Sequence, residues 1–134
     1  MLIEKTLVLI KPDAVKRQLV GEIIKTYEGK GLIIEKMKMI YAEDEKLKAH
    51  YAIHSQKPFY NRLLDFMKSG PVVAMALSGA NAIEMVRILN GNTNPCLAES
   101  GSIRGRYASD VTENCVHGSD SLASAEREIQ IWFE

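Results

Sequence analysis

The chain has 134 residues, with 17 basic and 17 acidic side chains, so its formal net charge is zero. Hydrophobic residues make up 46% of the sequence and charged residues 25%, which is the composition of an ordinary globular protein. The length fits one domain over residues 1–134, and the balanced charge argues against nucleic acid or a membrane surface as the main partner.

The sequence carries no sign of secretion or membrane insertion. The apolar stretch at residues 6–10 is too short for a signal peptide, and the weakly polar run at residues 71–80 is too short to span a bilayer. Cys96 and Cys115 could form at most one disulfide, which does not amount to a disulfide framework. We therefore expect a cytoplasmic protein.

The first half of the chain predicts two strands and three helices. Residues 6–10 are short, apolar and β-branched, which is typical of a buried central strand. Residues 13–30 have helical spacing and are followed by a strand at 32–41. Two further helices are predicted, one at residues 42–54 and one that begins at Pro58 and ends near residue 70.

The second half predicts two strands, two helices and one long loop. Residues 72–77 are nearly all apolar, which favours a strand buried on both faces, and Asn81 is placed to cap the next helix. The polar stretch at 92–114 is long enough for a functional loop. A short strand at 115–116 and a helix at 121–133 complete the chain.

Four strands alternating with helices predict an α/β fold, more closely a ferredoxin-like α+β sandwich. In that arrangement a four-stranded antiparallel sheet is covered on one face by helices.

The most informative segment is residues 114–121, which read Asn-Cys-Val-His-Gly-Ser-Asp-Ser. His117 lies at a strand end, and the capping residues after it leave backbone N–H groups that suit an anion. An imidazole there can act as a nucleophile or as an acid and base. The pattern alone favours a surface histidine followed by an ordinary helix cap. His50 and His54 lie in a charged helical stretch, where we expect them to be solvated.

Other residues with chemical potential are scattered. Lys11, Arg87, Thr93 and Arg104 could contribute to an anion site, and Arg104 stands beside a glycine that would let its guanidinium meet phosphate in bidentate geometry. Taken singly, each is more typical of a solvated surface.

Two common kinds of site are not indicated by the sequence. The two cysteines and His117 lack the paired spacing of a zinc site, and Cys115 has the apolar context of an inert thiol. The segment at residues 21–26 ends in Lys-Thr but has Ile24 where a Walker phosphate loop needs glycine.

Taken together, these segments resemble the nucleoside diphosphate kinase family. The segment at 114–121 is similar to the family's active-site signature and departs from it at most at Cys115. Seven further segments match in family order and spacing over nearly the whole chain. They are LIKPD (9–13), VGEII (20–24), KPF (57–59), SGPVV (69–73), TNP (93–95), SIRG (102–105) and SAEREI (124–129).

The resemblance implies a ping-pong kinase that works through phosphohistidine and maintains nucleoside triphosphate pools. His117 would take the γ-phosphate of a nucleoside triphosphate, mainly ATP, and pass it to a nucleoside diphosphate. Glu128 would orient the imidazole, and Ser119 would hold Glu128. Mg²⁺ would bridge phosphate oxygens, with few dedicated protein ligands.

The resemblance also implies a set of nucleotide-binding residues. Arg87, Thr93 and Arg104 would hold the β- and γ-phosphates. Lys11 and Asn114 would contact the sugar 3′-hydroxyl and the phosphates, and Tyr51 would buttress Lys11. Phe59 and Val111 would enclose the base.

The sequence departs from the family pattern at three points. Ser100 stands where many relatives have proline, in a loop that lies at subunit contacts in the family, and Arg106 replaces an acidic residue. The chain also ends at Glu134 without the C-terminal tail of longer relatives. We expect a homo-oligomer, a homotetramer rather than a hexamer.

Three other functions compete with the kinase. An RNA-binding sheet should carry aromatic residues on its central strands, and residues 6–10 and 72–77 have none. A regulatory ligand-binding module would not need His117, Glu128 and Arg104 together. A structural relative without activity would have lost some of the matched residues, and all are present.

Overall fold

The computed structural model describes residues 3–134, which form a four-stranded sheet. Every neighbouring pair in the order β2-β3-β1-β4 is antiparallel, so the predicted four-stranded antiparallel, ferredoxin-like arrangement is confirmed. The strands are β1 (Ile3–Ile10), β2 (Ile33–Ile40), β3 (Val72–Ala80) and β4 (Val116–Gly118).

Residues 3–134 also contain seven α-helices and two short 3₁₀ turns, at Ala52–His54 and Pro95–Leu97; the last helix follows the last strand. At 12 residues, the longest of these helices falls short of a bilayer's thickness, and none of the others qualifies as a membrane span. The helices are α1 (Pro12–Lys16), α2 (Val20–Gly29), α3 (Asp44–His50), α4 (Tyr60–Met67), α5 (Ala82–Asn90), α6 (Ile103–Tyr107) and α7 (Leu122–Phe133).

Several helix boundaries differ from the prediction. The single helix expected at residues 13–30 is broken at Gln18, whose φ of 62° is left-handed and cannot continue a right-handed helix. The helix expected at 42–54 ends at His50, and the one expected from Pro58 begins at Tyr60. Asn81 precedes α5 as predicted, but its side chain makes no capping hydrogen bond and its φ is 55°.

Helices cover both faces of the sheet, so the expectation that they cover one face was wrong. Alternate residues of a strand point to opposite faces. In β1, Leu7 and Leu9 belong to one buried cluster, and Val8 and Ile10 belong to another. The first cluster is closed by α3, α4 and α7, and the second by α1, α2, α5 and α6.

The long loop expected between α5 and β4 is folded. It contains a 3₁₀ turn and α6, where Ser102 caps the helix by accepting the backbone N–H of Gly105 at 3.1 Å. Gly91 begins the loop with a φ of 86°, and a Cβ atom there would lie 2.2 Å from the Ser102 hydroxyl. The loop is therefore packed against the end of α5.

Candidate active site

A cleft of about 970 Å³ lies at the ends of β1 and β4 and is bounded by α3, α5, α6 and α7. That volume is at the upper end of those of small-molecule sites. Ten of the eleven residues proposed above for catalysis or binding line the cleft, and Ser119 lies buried behind Glu128. The ten are Lys11, Tyr51, Phe59, Arg87, Thr93, Arg104, Val111, Asn114, His117 and Glu128.

His117 is placed by β4, where it pairs with Leu9 in the buried half of β1. Its Nε2 lies 2.8 Å from Glu128 Oε1. An ionised carboxylate can only accept, so a neutral imidazole in this pair carries its proton on Nε2. No hydrogen bond from the described residues engages Nδ1, which leaves the unprotonated nitrogen available to the cleft.

Glu128 is held from behind by Ser119. The Ser119 hydroxyl donates to Glu128 Oε1 at 2.7 Å and accepts the backbone N–H of Leu7 at 3.1 Å. Both side chains are buried, and a buried carboxylate is tolerated only with such partners. The Ser119 side chain therefore links the Glu128 carboxylate on α7 to the central strand β1.

Lys11 directly follows β1, and its ammonium group donates to Asn114 Oδ1 at 2.8 Å. Burial, reinforced by the neighbouring Arg104, lowers the pKa of Lys11 to about 8. The amide nitrogen of Asn114 donates to the backbone carbonyls of Val111 at 2.9 Å and Thr93 at 3.1 Å. One amide thus joins the lysine to two loops that line the cleft.

Arg104 is the most constrained cation of the cleft. Its two terminal nitrogens donate to the carbonyls of Gly91 and Val116, each at 2.7 Å, and burial lowers its pKa. Its Nε is buried with no hydrogen-bond partner within residues 3–134. Arg87 and Thr93, in contrast, are exposed on the cleft wall and available to a ligand.

The outer end of the cleft is apolar and exposed. Phe59 precedes α4 and is 43% exposed, and Val111, on the loop before β4, is 56% exposed. A solvent-exposed ion pair joins these two parts of the chain, with Arg62 Nη2 3.8 Å from Asp110 Oδ2. Large apolar side chains left open to solvent here are suited to covering a flat ligand.

The structure contradicts the expected solvation of His50 and shows that the neighbouring Tyr51 is also buried. His50 is only 3% exposed, and its ring centroid lies 4.5 Å from that of His117. Tyr51 is buried as well, but its hydroxyl makes no hydrogen bond within residues 3–134, to Lys11 or otherwise. His50 lies three residues after the buried Leu47, so helical periodicity is a signal that could have identified it.

Sequence reasoning also missed Asn90 and Asp120, both of which line the cleft. Asn90 is buried and accepts the hydroxyl of Tyr27 from α2. Asp120 is exposed at the start of α7, and a hydrogen bond from Ser124 lowers its pKa. The sequence signal that could have identified Asn90 is its position as a polar residue in the last turn of α5, a mostly apolar helix.

One cluster in the cleft has the composition of a metal site. Polar atoms of His50, His117 and Glu128 lie within 4.8 Å of one another. However, the indole N–H of Trp132 donates to His50 Nδ1 at 3.1 Å, so the neutral ring carries its proton on Nε2 and offers no free lone pair. The hydrogen bonds already present therefore disfavour metal binding by these three residues.

The fold and this cleft bring together an imidazole backed by a carboxylate and three cationic side chains, Lys11, Arg87 and Arg104, which is an arrangement suited to an enzyme that acts on an anionic ligand. Residues 4–134 match the family described as "Nucleoside diphosphate kinase". The chain belongs to the nucleoside diphosphate kinase family. It is accordingly a phosphotransferase that moves phosphate between nucleotides, and nucleotide kinases generally use a divalent metal.

Individual relatives agree with this assignment. The chain is 52% identical over 130 residues to the nucleoside diphosphate kinase of Caldanaerobacter subterraneus subsp. tengcongensis, covering 97% of this chain and 94% of the relative. It is 53% identical over 130 residues to that of Archaeoglobus fulgidus, covering 97% and 86%. The crystal structure of the apo enzyme from Encephalitozoon cuniculi superposes with a TM-score of 0.95 at 42% identity, covering 97% of this chain and 88% of that one.

Proposed function

We propose that His117 is the covalent phosphoryl carrier of this kinase, taking the γ-phosphate mainly of ATP and delivering it to other nucleoside diphosphates. The observation that supports this assignment is the hydrogen bond between His117 Nε2 and Glu128 Oε1 at 2.8 Å. With Nε2 engaged, Nδ1 is the nitrogen that would attack. Maintenance of ribo- and deoxyribonucleoside triphosphate pools follows from such a reaction.

In the first half-reaction, the Nδ1 lone pair forms a bond to the γ-phosphorus. The bond from that phosphorus to the bridging oxygen breaks, and the diphosphate leaves with the electron pair. The phosphorylated ring keeps its Nε2–H and gains positive charge, which the Glu128 carboxylate stabilises. In the second half-reaction, a β-phosphate oxygen of another diphosphate attacks the same phosphorus, and the P–N bond breaks.

The cations and amides of the cleft would position the phosphates. Phosphoryl transfer depends chiefly on alignment and charge neutralisation, and Lys11, Arg87 and Arg104 line the same cleft as His117. Thr93 offers an exposed hydroxyl for the phosphates. Asn114, already bonded to Lys11, would share the sugar 3′-hydroxyl with it.

The base would lie at the outer end of the cleft, between Phe59 and Val111. Both side chains are exposed, so an aromatic ring placed there covers apolar surface that water now contacts. Stacking reads the π-face that all bases share, so broad base tolerance follows. Tyr51 lines the same cleft as Lys11 and would support the lysine by packing.

We propose Mg²⁺ as the metal, held mainly by the nucleotide phosphates. Mg²⁺ prefers oxygen ligands and retains several waters, and the carboxylate of Asp120 on the cleft wall is an oxygen donor of that kind. The metal would neutralise charge on the phosphate oxygens. The cluster of two histidines and a carboxylate suits it less, because imidazole favours softer metals.

We further propose a cytoplasmic homo-oligomer, a homotetramer rather than a hexamer, with neither nucleic acid nor membrane as a main partner. The edge strand β2 supports self-association because Ile33, Met37 and Met39 are exposed on it. Two free cysteines are consistent with a reducing compartment. Light scattering coupled to size-exclusion chromatography gives the mass directly, and a monomer or hexamer would refute the tetramer.

The experiment for the carrier is brief incubation with γ-labelled ATP. We expect label that is stable to alkali, labile to acid, discharged by added diphosphate, and lost in His117→Ala. His54→Gln is the matched control, because His54 also borders the cleft but makes no bond to Glu128, and it should still take up label. A wild-type protein that takes up no label would refute the proposal, and label retained by His117→Ala would refute the assignment.

A further inference from the structure

His50 is a buried histidine for which the mechanism above has no use. It ends α3, is 3% exposed, and packs its ring against His117 at 4.5 Å between centroids and an interplanar angle of 76°. On its other side, the ring lies 5.8 Å from that of Trp132 on α7. The three rings form a row in which Trp132 and His50 are buried and the partly exposed His117, the proposed phosphoryl carrier, stands at the end.

The hydrogen bond from Trp132 determines the state of the His50 ring. An indole N–H can only donate, so His50 Nδ1 must accept it at 3.1 Å, and the neutral ring carries its proton on Nε2. Burial, together with the nearby His117, Arg127, Lys11 and His54, keeps the pKa of His50 well below its usual value. The ring is therefore neutral and held in one tautomer.

His117 needs a second support besides Glu128. The hydrogen bond at Nε2 restrains the imidazole only weakly against rotation about its Cβ–Cγ bond, because Nε2 lies close to that axis. A second ring packed against it at a steep angle opposes this rotation. The packed ring must itself be fixed, and the indole of Trp132 supplies that constraint.

We propose that His50 is a positioning residue that holds the His117 ring with Nδ1 toward the cleft, and that Trp132 acts through it. The inference rests on the proposed function of His117 as phosphoryl carrier. Trp132 is a core residue that is fully buried, yet its effect on the reaction would pass through one hydrogen bond to His50.

The test combines Trp132→Phe, His50→Phe and the double variant. Trp132→Phe keeps an aromatic ring but removes the indole N–H, so we expect phosphorylation by ATP to slow roughly 10-fold with an unchanged KM, since misplacement of a reacting group lowers the rate rather than binding. His50→Phe should slow it at least as much. Adding Trp132→Phe to His50→Phe should cause no further loss of rate, because Trp132 then has no His50 imidazole through which to act.

The control is Phe133→Leu, which loosens the same end of α7 but removes a ring that contacts Lys36 and Lys38 instead. It should phosphorylate at the wild-type rate. A Trp132→Phe variant as fast as wild type, or losses that multiply in the double variant, would overturn the proposal. Slowing by Phe133→Leu to the same extent would also overturn it.

A measurement on the wild type keeps the inference testable even if a variant does not fold. Imidazole ¹⁵N shifts should report His50 as the neutral Nε2–H tautomer, and a proton on Nδ1 would refute the proposal. Failure of the proposed function can be distinguished from failure of this inference. The first appears as an absence of label on the wild-type protein, and the tautomer of His50 can be measured in either case.

Discussion

Lys11→Met should separate two effects of one buried charge, stabilising the fold at neutral pH while slowing the reaction. Lys11 is 7% exposed, and its pKa is lowered from 10.5 to about 8, first by burial and then by Arg104. Methionine keeps much of the apolar stem but carries no charge. Its loss from the cleft should lower turnover on the order of 10²-fold, the usual effect of removing one positioned charge contact.

The sign of the stability effect follows from proton binding. The unfolded chain binds the lysine proton more tightly than the folded chain, so between pH 8 and 10.5 the unfolded state holds more protons and stability rises with pH. At pH 7, burial of the charged lysine therefore lowers the free energy of unfolding of the wild type by about 3 kcal/mol, since each tenfold change in proton affinity is worth about 1.4 kcal/mol. Near pH 10 the penalty shrinks to about 1 kcal/mol.

The substitution has an opposing cost at both pH values. Asn114 Oδ1 loses the Lys11 amino group, which donates to it at 2.8 Å as an ammonium at pH 7 and can still donate as a neutral amine at pH 10, and this loss should cost about 1–2 kcal/mol. We therefore expect Lys11→Met to be about 1–2 kcal/mol more stable than wild type at pH 7 and equal to it or slightly less stable near pH 10.

Urea unfolding of both proteins at pH 7 and pH 10, at one fixed protein concentration, measures this difference. Comparing the two proteins at each pH cancels the groups that titrate identically in both. A stability difference that stays constant between the two pH values would refute the reasoning, because the buried ammonium would then not have the lowered proton affinity on which it rests.

Three further predictions concern other parts of the chain. Glu128→Gln should slow phosphorylation roughly 10²-fold, because an amide cannot stabilise the charge on the phosphorylated ring. Gly105→Ala should destabilise the fold by on the order of 1–3 kcal/mol, since its Cβ would lie 1.9 Å from the carbonyl oxygen of Glu99. An alkylating reagent at pH 8 should modify exposed Cys96 and spare Cys115, because burial raises the pKa of the latter to about 12.

Rapid-quench kinetics measure the phosphorylation rate of Glu128→Gln, and a wild-type rate would rule out the proposed role of Glu128. Thermal or chemical unfolding measures the stability of Gly105→Ala, with Gly101→Ala as control because a Cβ there meets nothing within 4 Å, and equal stability of the two variants would contradict the prediction. Mass spectrometry after alkylation counts the modified cysteines, and two labels per chain would contradict the protection of Cys115.

The strands were the most predictable part of the fold. Residues 7–10 of β1 and residues 72–77 of β3 are all apolar, which predicted buried strands and also requires helices on both faces of the sheet. We instead expected the single covered face that is usual for antiparallel sheets of this type. The break between α1 and α2 was missed because Gln18 adopts a left-handed conformation without being a glycine or asparagine.

The site was less predictable because its parts come from distant segments. His117 and the capping residues after it are contiguous, so local pattern indicated an anion site, but the bond from Glu128 depends on how α7 packs against β1. Only the resemblance supplied that partner. His50 was misjudged because its charged neighbours, Lys46 and Lys48, outweighed the helical spacing from Leu47.

The short strand β4 has a consequence for how this molecule can lose activity. It is only three residues long, yet it pairs with the buried residues 8–10 of β1 and so attaches His117, the proposed phosphoryl carrier, to a tightly packed part of the sheet. The groups that would meet the base, Phe59 and Val111, are on exposed surface segments. Partial opening of the domain would thus disrupt the proposed base site first, and the His117 ring would keep its native orientation until the sheet itself came apart.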